Sequence, residues 1–380
     1  MTSALQADEL LHEAVAATGL EDFGPGDFQD GLAVLMESLY ADADLTPAAL
    51  DGVLSVFRRR LENRLRVEEW YLSNPAATLS PIEGPVDIMG LPRTGTTALA
   101  NMMSLDTQFR ALRGWEQSQP CPPPEIDTEK SDPRRLAAMA AEKNVAANLK
   151  AMHLYEVDAT TEDSELLGMA FHGQQFTLPV YRYHQWWRDS DCTETFAYHR
   201  RVVALLGSNR PPNRWLFKAP HHKFHLEAII AAYPDIRFVM THRDPAKVVP
   251  SYTSMVSTIF PESCQERDYA KIGQEVSDHL RIGMQNCIAA RERIGEERFI
   301  DVHHRELVLN PMATLERIYS QLDLEFTKEF HDELARWQAL NAPGAHGVHS
   351  YTPNRFGLDA EQLRDDYRFY IDHFDVEIEN

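Results

Sequence analysis

Residues 86–97, Val-Asp-Ile-Met-Gly-Leu-Pro-Arg-Thr-Gly-Thr-Thr, run a short apolar strand into a Gly/Pro turn and then into small hydroxyl residues that open a helix. No other stretch constrains the fold as much. A strand that ends in a tight glycine turn aims successive backbone N–H groups at one point, and the helix behind it adds the positive end of its dipole. The result is a cradle for an anion. Thr96 and Thr97 add hydroxyl donors, and Arg93 adds a charge able to reach a terminal or bridging oxygen. The spacing Gly90-x4-Gly95 is that of a nucleoside-triphosphate loop, but Thr96 stands where such a loop carries lysine. With its cation inside the turn, the loop is matched to an anion of a different shape.

A second anion site follows at Phe238-Val239-Met240-Thr241-His242-Arg243-Asp244-Pro245. Residues 236–241 read as a buried strand, and Asp244-Pro245 as an N-cap with the first helical residue. Arg243 then stands at the carboxyl end of a strand, where open α/β sheets bind ligands. Ser251, eight residues on, falls about two helical turns later on a nearby face, and Pro250 predicts a kink in that helix.

Pro92-Arg93-Thr94-Gly95-Thr96-Thr97 resembles the P-[KR]-[ST]-G-T-[TS] loop with which sulfotransferases hold the 5′-phosphosulfate of PAPS (3′-phosphoadenosine 5′-phosphosulfate). Arg243 and Ser251 resemble the pair, at the same spacing, that holds its 3′-phosphate. The likeness is to bacterial-type PAPS-dependent enzymes and is strongest over residues 85–116 and 214–252. It implies an α/β fold with a central parallel sheet of about five strands flanked by helices. It also implies sulfuryl transfer from PAPS to an acceptor hydroxyl, with PAP as product and no metal. Lys218, ending the strand Arg214–Lys218, matches the lysine such enzymes place beside the sulfuryl group. For the general base three readings stay open, with Glu116 the favoured one. Glu116, 23 residues after Arg93, sits about where the glycan and tyrosylprotein branches carry a catalytic Glu. His221 is one residue from the catalytic His of the cytosolic branch, Pro220 taking that place; Glu165 and His172 come third. The loop around residues 344–351 lacks most of the basic residues with which many relatives close over the 3′-phosphate.

The rest of the chain bounds the setting. The formal net charge of −21 speaks against nucleic acid and polyanionic glycans as partners. It points to a small acceptor that is neutral and partly apolar, a lipid, glycolipid or sterol-like alcohol. Arg58-Arg59-Arg60 and Arg200-Arg201 read as solvated helix faces. No apolar run reaches 18 residues and no leader is evident, so neither a transmembrane segment nor a signal peptide is expected. Cys121, Cys192, Cys264 and Cys287 are scattered, as in a reduced cytoplasmic protein. Residues 1–80 read as a helical preamble on a main domain spanning 81–380, with a helical insertion at 130–210. Within the main domain, strands are expected at 109–115, 214–219, 236–241 and 298–302. Helices are expected at 96–105, 132–155, 194–207, 221–233, 311–322, 328–340 and 359–373, with a loop over 341–357. Tyr181, Tyr183, Trp186 and Trp187 mark an irregular aromatic stretch, either core or the lining of an apolar cleft. His221, His222 and His225 have no HExxH pattern or Cys pair around them; they are expected to line the mouth of the site and not to bind metal. Two rival readings remain. A P-loop kinase or NTPase would lack both its lysine and a Mg²⁺-binding Asp, and a non-catalytic PAPS- or PAP-binding protein would keep only the cradle.

Overall fold

The structure, a computed structural model, describes residues 3–75, 82–143, 157–210, 214–341 and 352–379. Five strands, β1 (Val86–Gly90), β2 (Phe109–Ala111), β3 (Arg214–Lys218), β4 (Arg237–His242) and β5 (Phe299–His303), pair in the order β2-β3-β1-β4-β5. Every pairing is parallel. Parallel strands need crossovers, which place helices on both faces of the sheet. The pleat sorts strand residues between two cores. Val86, Ile88, Leu216, Val239 and Val302 pack with the helices Thr96–Met103, Pro311–Gln321 and Lys328–Leu340. Met89, Trp215, Phe217, Phe238 and Met240 pack on the other face, in the core that includes the N-terminal helices and Tyr269–Ile294. β1 lies between β3 and β4, so the chain departs to one side of it and returns on the other. The crevice at its carboxyl end is the place where such sheets bind ligands.

Three helices, α1 (Ser3–Thr18), α2 (Phe28–Asp42) and α3 (Pro47–Ser73), precede the sheet. The Thr46 side chain caps α3 by accepting from Ala49 N, with Pro47 in the first turn, an arrangement that contributes about 1 kcal/mol. Arg64 of α3 is fully buried and donates to the carbonyls of Phe23, Pro25 and Met169. Those carbonyls compensate a guanidinium withdrawn from water, and they tie the N-terminal helices to the segment that enters the site.

Several expectations are corrected. β2 stops at Ala111 because Gly114–Ser118 turns into a short helix whose Glu116 carboxylate accepts from Arg113 N at 3.2 Å. The stretch after β3 is a 3₁₀ turn over Pro220–Phe224 and then a helix over Leu226–Ala232, not one helix from His221. The aromatic stretch is the helix Tyr181–Asp189, with Tyr183 and Trp187 in the core. Tyr269–Ile294, 26 residues long, was not expected at all. Of the helix expected over 132–155, Pro133–Glu142 is seen; residues 144–156, like 342–351 of the expected loop, lie outside the described residues. Among the described residues no helix is long and apolar enough to cross a membrane.

Candidate active site

The turn after β1 needs its glycines. Gly90 has φ 135°, and a Cβ there would lie 2.5 Å from the Thr241 carbonyl oxygen. Gly95, at φ 98°, caps the helix Thr96–Met103, and its Cβ would come 3.0 Å from Leu307 Cδ2. Arg93 holds φ 66° between them, a left-handed conformation that costs a non-glycine residue about 1 kcal/mol or more. Thr94 turns its hydroxyl inward, donating to the Leu91 carbonyl at 2.6 Å and meeting Thr241 Oγ1 at 2.5 Å. Pro92, Arg93, Thr96 and Thr97 face outward into a cavity of about 420 Å³.

The fold brings together the two segments expected to hold anions. Arg93 Nε donates to Ser251 Oγ, and Arg243 Nη1 donates to the Arg93 carbonyl, both at 3.2 Å. Asp244, wholly buried, caps the helix Pro245–Ile259 through Ala246 N and also accepts from Arg364 and from Glu379 N. The same chain segment carries the Glu379 carboxylate onto Arg243 in a two-point ion pair, at 2.8 and 3.0 Å. Arg243 borders a second cavity of about 680 Å³, together with His304, Arg305 and residues 375–379. Lys218 ends β3 fully buried and donates to Glu162 Oε1 at 3.2 Å and Thr97 Oγ1 at 3.5 Å.

The carboxylates and imidazoles divide sharply. Glu116 is fully buried against Arg110 at 2.9 Å and Arg113 at 3.5 Å, and it is not part of the cavity wall. Glu165 does line the cavity but is held by Arg60 and Arg59; burial pushes its carboxyl up, and the two guanidiniums more than reverse this. Arg60 is therefore a buried member of the site wall and not part of a solvated face. His172 is buried beside Trp186, with Nδ1 at the Ala170 carbonyl, away from the cavity. Of the three histidines expected at the mouth, only His221 lines the cavity; His222 is buried and His225 half-buried, and neither is on its wall.

Glu162 and Asp163 were passed over in the sequence. Glu162 lines the cavity beside Lys218. Asp163 is a buried hub: His222 Nε2 lies 2.8 Å from it, His199 Nε2 3.2 Å and His221 Nε2 3.6 Å. His222 Nδ1 is anchored in turn by Asp87 of β1 at 2.8 Å. Burial lowers the proton affinity of His222, but Asp163 and Asp87 outweigh it and raise its pKa to about 10. Burial likewise pushes the Asp163 carboxyl up, and the surrounding imidazoles, His222 first, bring it well below the usual range. Asp163, His221 and His222 could present ligand atoms to a cation, since these lie within 4.8 Å of one another. The same atoms make the contacts of Asp163 with His221 and His222 within the hub. No local signal marks Asp163 in the sequence, because its partners come from β1 and from residues 199–222.

Phe176, Tyr252, Met255 and Ile259 also line the cavity. Gln174, Phe176 and Tyr252 are shared with a second, small cavity lined by Tyr181, His184, Val256 and Phe260. The lining thus combines cations and hydroxyls with an apolar set.

Comparison with known proteins agrees with this layout. The chain superposes on sulfotransferase STF9 from Mycobacterium avium with a TM-score of 0.87 and 28% identity, covering 98% of this chain and 97% of that one. For sulfotransferase STF1 from Mycobacterium tuberculosis H37Rv the TM-score is 0.83 at 28% identity, covering 95% and 97%. Omega-hydroxy-beta-dihydromenaquinone-9 sulfotransferase Stf3 of Mycobacterium tuberculosis is 22% identical over 148 residues, 39% of this chain. That match spans only 36% of the curated relative's length. The model of the sulfotransferase family matches residues 85–328, from the strand that feeds the glycine turn to the start of the helix Lys328–Leu340. With the match running through the glycine turn, the strand that ends in Lys218 and the helix start at Arg243, the chain belongs to the sulfotransferase family.

Proposed function

We propose that the protein transfers a sulfuryl group from PAPS to a hydroxyl of a lipid-like acceptor. One observation carries this reading: Arg93 bonds Ser251 while Arg243 bonds the Arg93 carbonyl. A nucleotide charged at both its 5′ and 3′ positions needs two adjacent cation sites; a nucleoside triphosphate does not. In this reading Arg93, Thr96, Thr97 and the turn's backbone hold the 5′-phosphosulfate, with Pro92 and Thr94 shaping the turn around Gly95. Arg243 and Ser251 hold the 3′-phosphate, and the cavity beside Arg243 and His304 has room for the adenosine.

The reaction forms a bond from the acceptor oxygen to sulfur and breaks the bond from sulfur to the 5′-phosphate oxygen. Like phosphoryl transfer, it depends on orientation and on positive charge at the departing oxygen. Arg93 and Lys218 supply that charge, Glu162 holding Lys218 in place beforehand. His221 accepts the hydroxyl proton. Histidine suits this role near neutrality, and Glu116 and Glu165 are each committed to arginines. The acceptor lies against Phe176, Tyr252, Met255 and Ile259. That apolar wall, the net charge of −21 and the lipid quinone in the name of the Stf3 relatives support a neutral lipid alcohol. The reading carries with it a cytoplasmic setting, in keeping with four free cysteines.

Calorimetric titration with PAP tests the proposal. Wild type should bind, and Arg93→Ala and Arg243→Ala should each weaken binding about 10- to 100-fold, the loss of a charge-assisted contact of 1.5–3 kcal/mol. Unchanged affinity in both variants, or tight binding of ATP with none of PAP, overturns it.

A further inference from the structure

We propose that Asp163 is the positioning residue for His221, completing a buried Asp–His pair that fixes which imidazole nitrogen faces the acceptor hydroxyl; this rests on the reading of His221 as the base. Asp163 Oδ1 is 3.6 Å from His221 Nε2, and both atoms are sealed from solvent while His221 also lines the cavity. A carboxylate at Nε2 holds the proton on that nitrogen and leaves Nδ1 as the acceptor. In unliganded sites such contacts are commonly long and tighten when substrate binds.

The cluster's charge makes the pairing effective. His222 bridges Asp87 and Asp163 at 2.8 Å on each side. Held as an imidazolium, it cancels one of the two carboxylate charges and leaves a single negative charge beside His221. His199, the remaining neighbour of Asp163, has its Nδ1 at 2.8 Å from the Tyr233 hydroxyl and so presents Nε2 to the carboxylate without adding charge when neutral. During transfer the acceptor O–H bond breaks, the proton moves to His221 Nδ1, and the acceptor oxygen's electron pair forms the bond to sulfur. The sulfur–phosphate bond electrons leave with PAP. The imidazolium that results faces the one uncompensated carboxylate, and it later loses its proton to solvent. Removing a group that orients a base through its second nitrogen costs up to about 10⁴-fold in kcat where this has been dissected.

The experiment measures transfer of labelled sulfuryl from PAPS to a bacterial membrane lipid extract by wild type, Asp163→Asn, His221→Gln and the double variant. Binding of PAP is followed alongside as a check on folding. Asp163→Asn should lower kcat about 100-fold with the KM for PAPS nearly unchanged. In the His221→Gln background the same substitution should cost less than twofold, because the carboxylate acts only through the imidazole. Asp163→Glu should recover part of the rate. Equal losses in the two backgrounds, or a loss confined to KM, overturn the proposal. Should Asp163→Asn fail to bind PAP, Asp87→Asn, one step further along the chain of groups, takes its place with a smaller expected loss and the same dependence on His221. Full activity of His221→Gln would instead refute the base assignment and leave the donor-binding reading standing.

Discussion

The Glu379 carboxylate occupies the Arg243 guanidinium where the 3′-phosphate of the donor is expected, and removing it should tighten nucleotide binding. The two contacts, at 2.8 and 3.0 Å, join side chains that are 25% and 33% exposed, so solvent screens the pair substantially. Exposed ion pairs contribute about 0.2–1 kcal/mol, and the two-point geometry puts this one at the upper end. A ligand that must break such a pair loses about 1 kcal/mol, or roughly fivefold in affinity. Glu379→Gln should therefore bind PAP about fivefold more tightly at low salt, with the gain shrinking as salt rises. AMP, which lacks the 3′-phosphate, should bind both proteins equally. Calorimetry with the two nucleotides separates the cases. An equal gain for AMP, or no gain for PAP, would show that Arg243 is not contested by the two anions.

Other expectations follow from the same geometry. Lys218→Met should reduce kcat about 10²–10³-fold with little change in PAP affinity, as loss of a charge that acts chiefly on the departing oxygen; single-turnover kinetics would read it. Gly90→Ala should destabilise the fold by about 2–3 kcal/mol in urea unfolding, through the strained φ and the clash with the Thr241 carbonyl. Asp163 and Asp87, outweighing burial, raise the His222 pKa from the ordinary 6.5 to about 10 in the folded protein. The contribution of His222 to stability is thus full below about 6.5 and fades as pH climbs through about 10, and His222→Gln should flatten that part of the profile in denaturation at stepped pH. Ile259→Trp should raise the KM for the lipid acceptor while leaving PAP affinity alone, since Ile259 stands on the apolar wall.

The segments proposed to hold the donor were legible as local structure because their residues are contiguous or nearly so. The turn from Gly90 to Thr97 is one local structure, and Arg243 with Ser251 straddles a single capped helix start. Lys218 was legible as the end of a short strand. The proton-handling half was not. Glu116 was read at the end of a strand, but it lies in the short helix Gly114–Ser118, where it caps Arg113 N and is buried against Arg110 and Arg113. Glu162 meets Lys218 across 56 positions, and Asp163 meets His199, His221 and His222 only after the sheet and its crossovers are assembled. The helix Tyr269–Ile294 had signals that went unread: Asp268 as its cap, Gly295 as its stop, and Ile272, Leu280, Met284 and Cys287 on its buried side.

In the proposed function one rod serves both substrates. The helix Pro245–Ile259 presents Ser251 to Arg93 and, over the following residues, Tyr252, Met255 and Ile259 to the cavity. From Ser251 to Ile259 is about 12 Å at 1.5 Å per residue, with no break between. Under that proposal, a tilt of the rod on nucleotide binding would reshape the apolar lining, and lipid pressing on the lining would act on the same rod. Thermodynamic reciprocity then makes the two occupancies partners: whatever affinity PAP lends to the lipid, the lipid returns to PAP in equal measure.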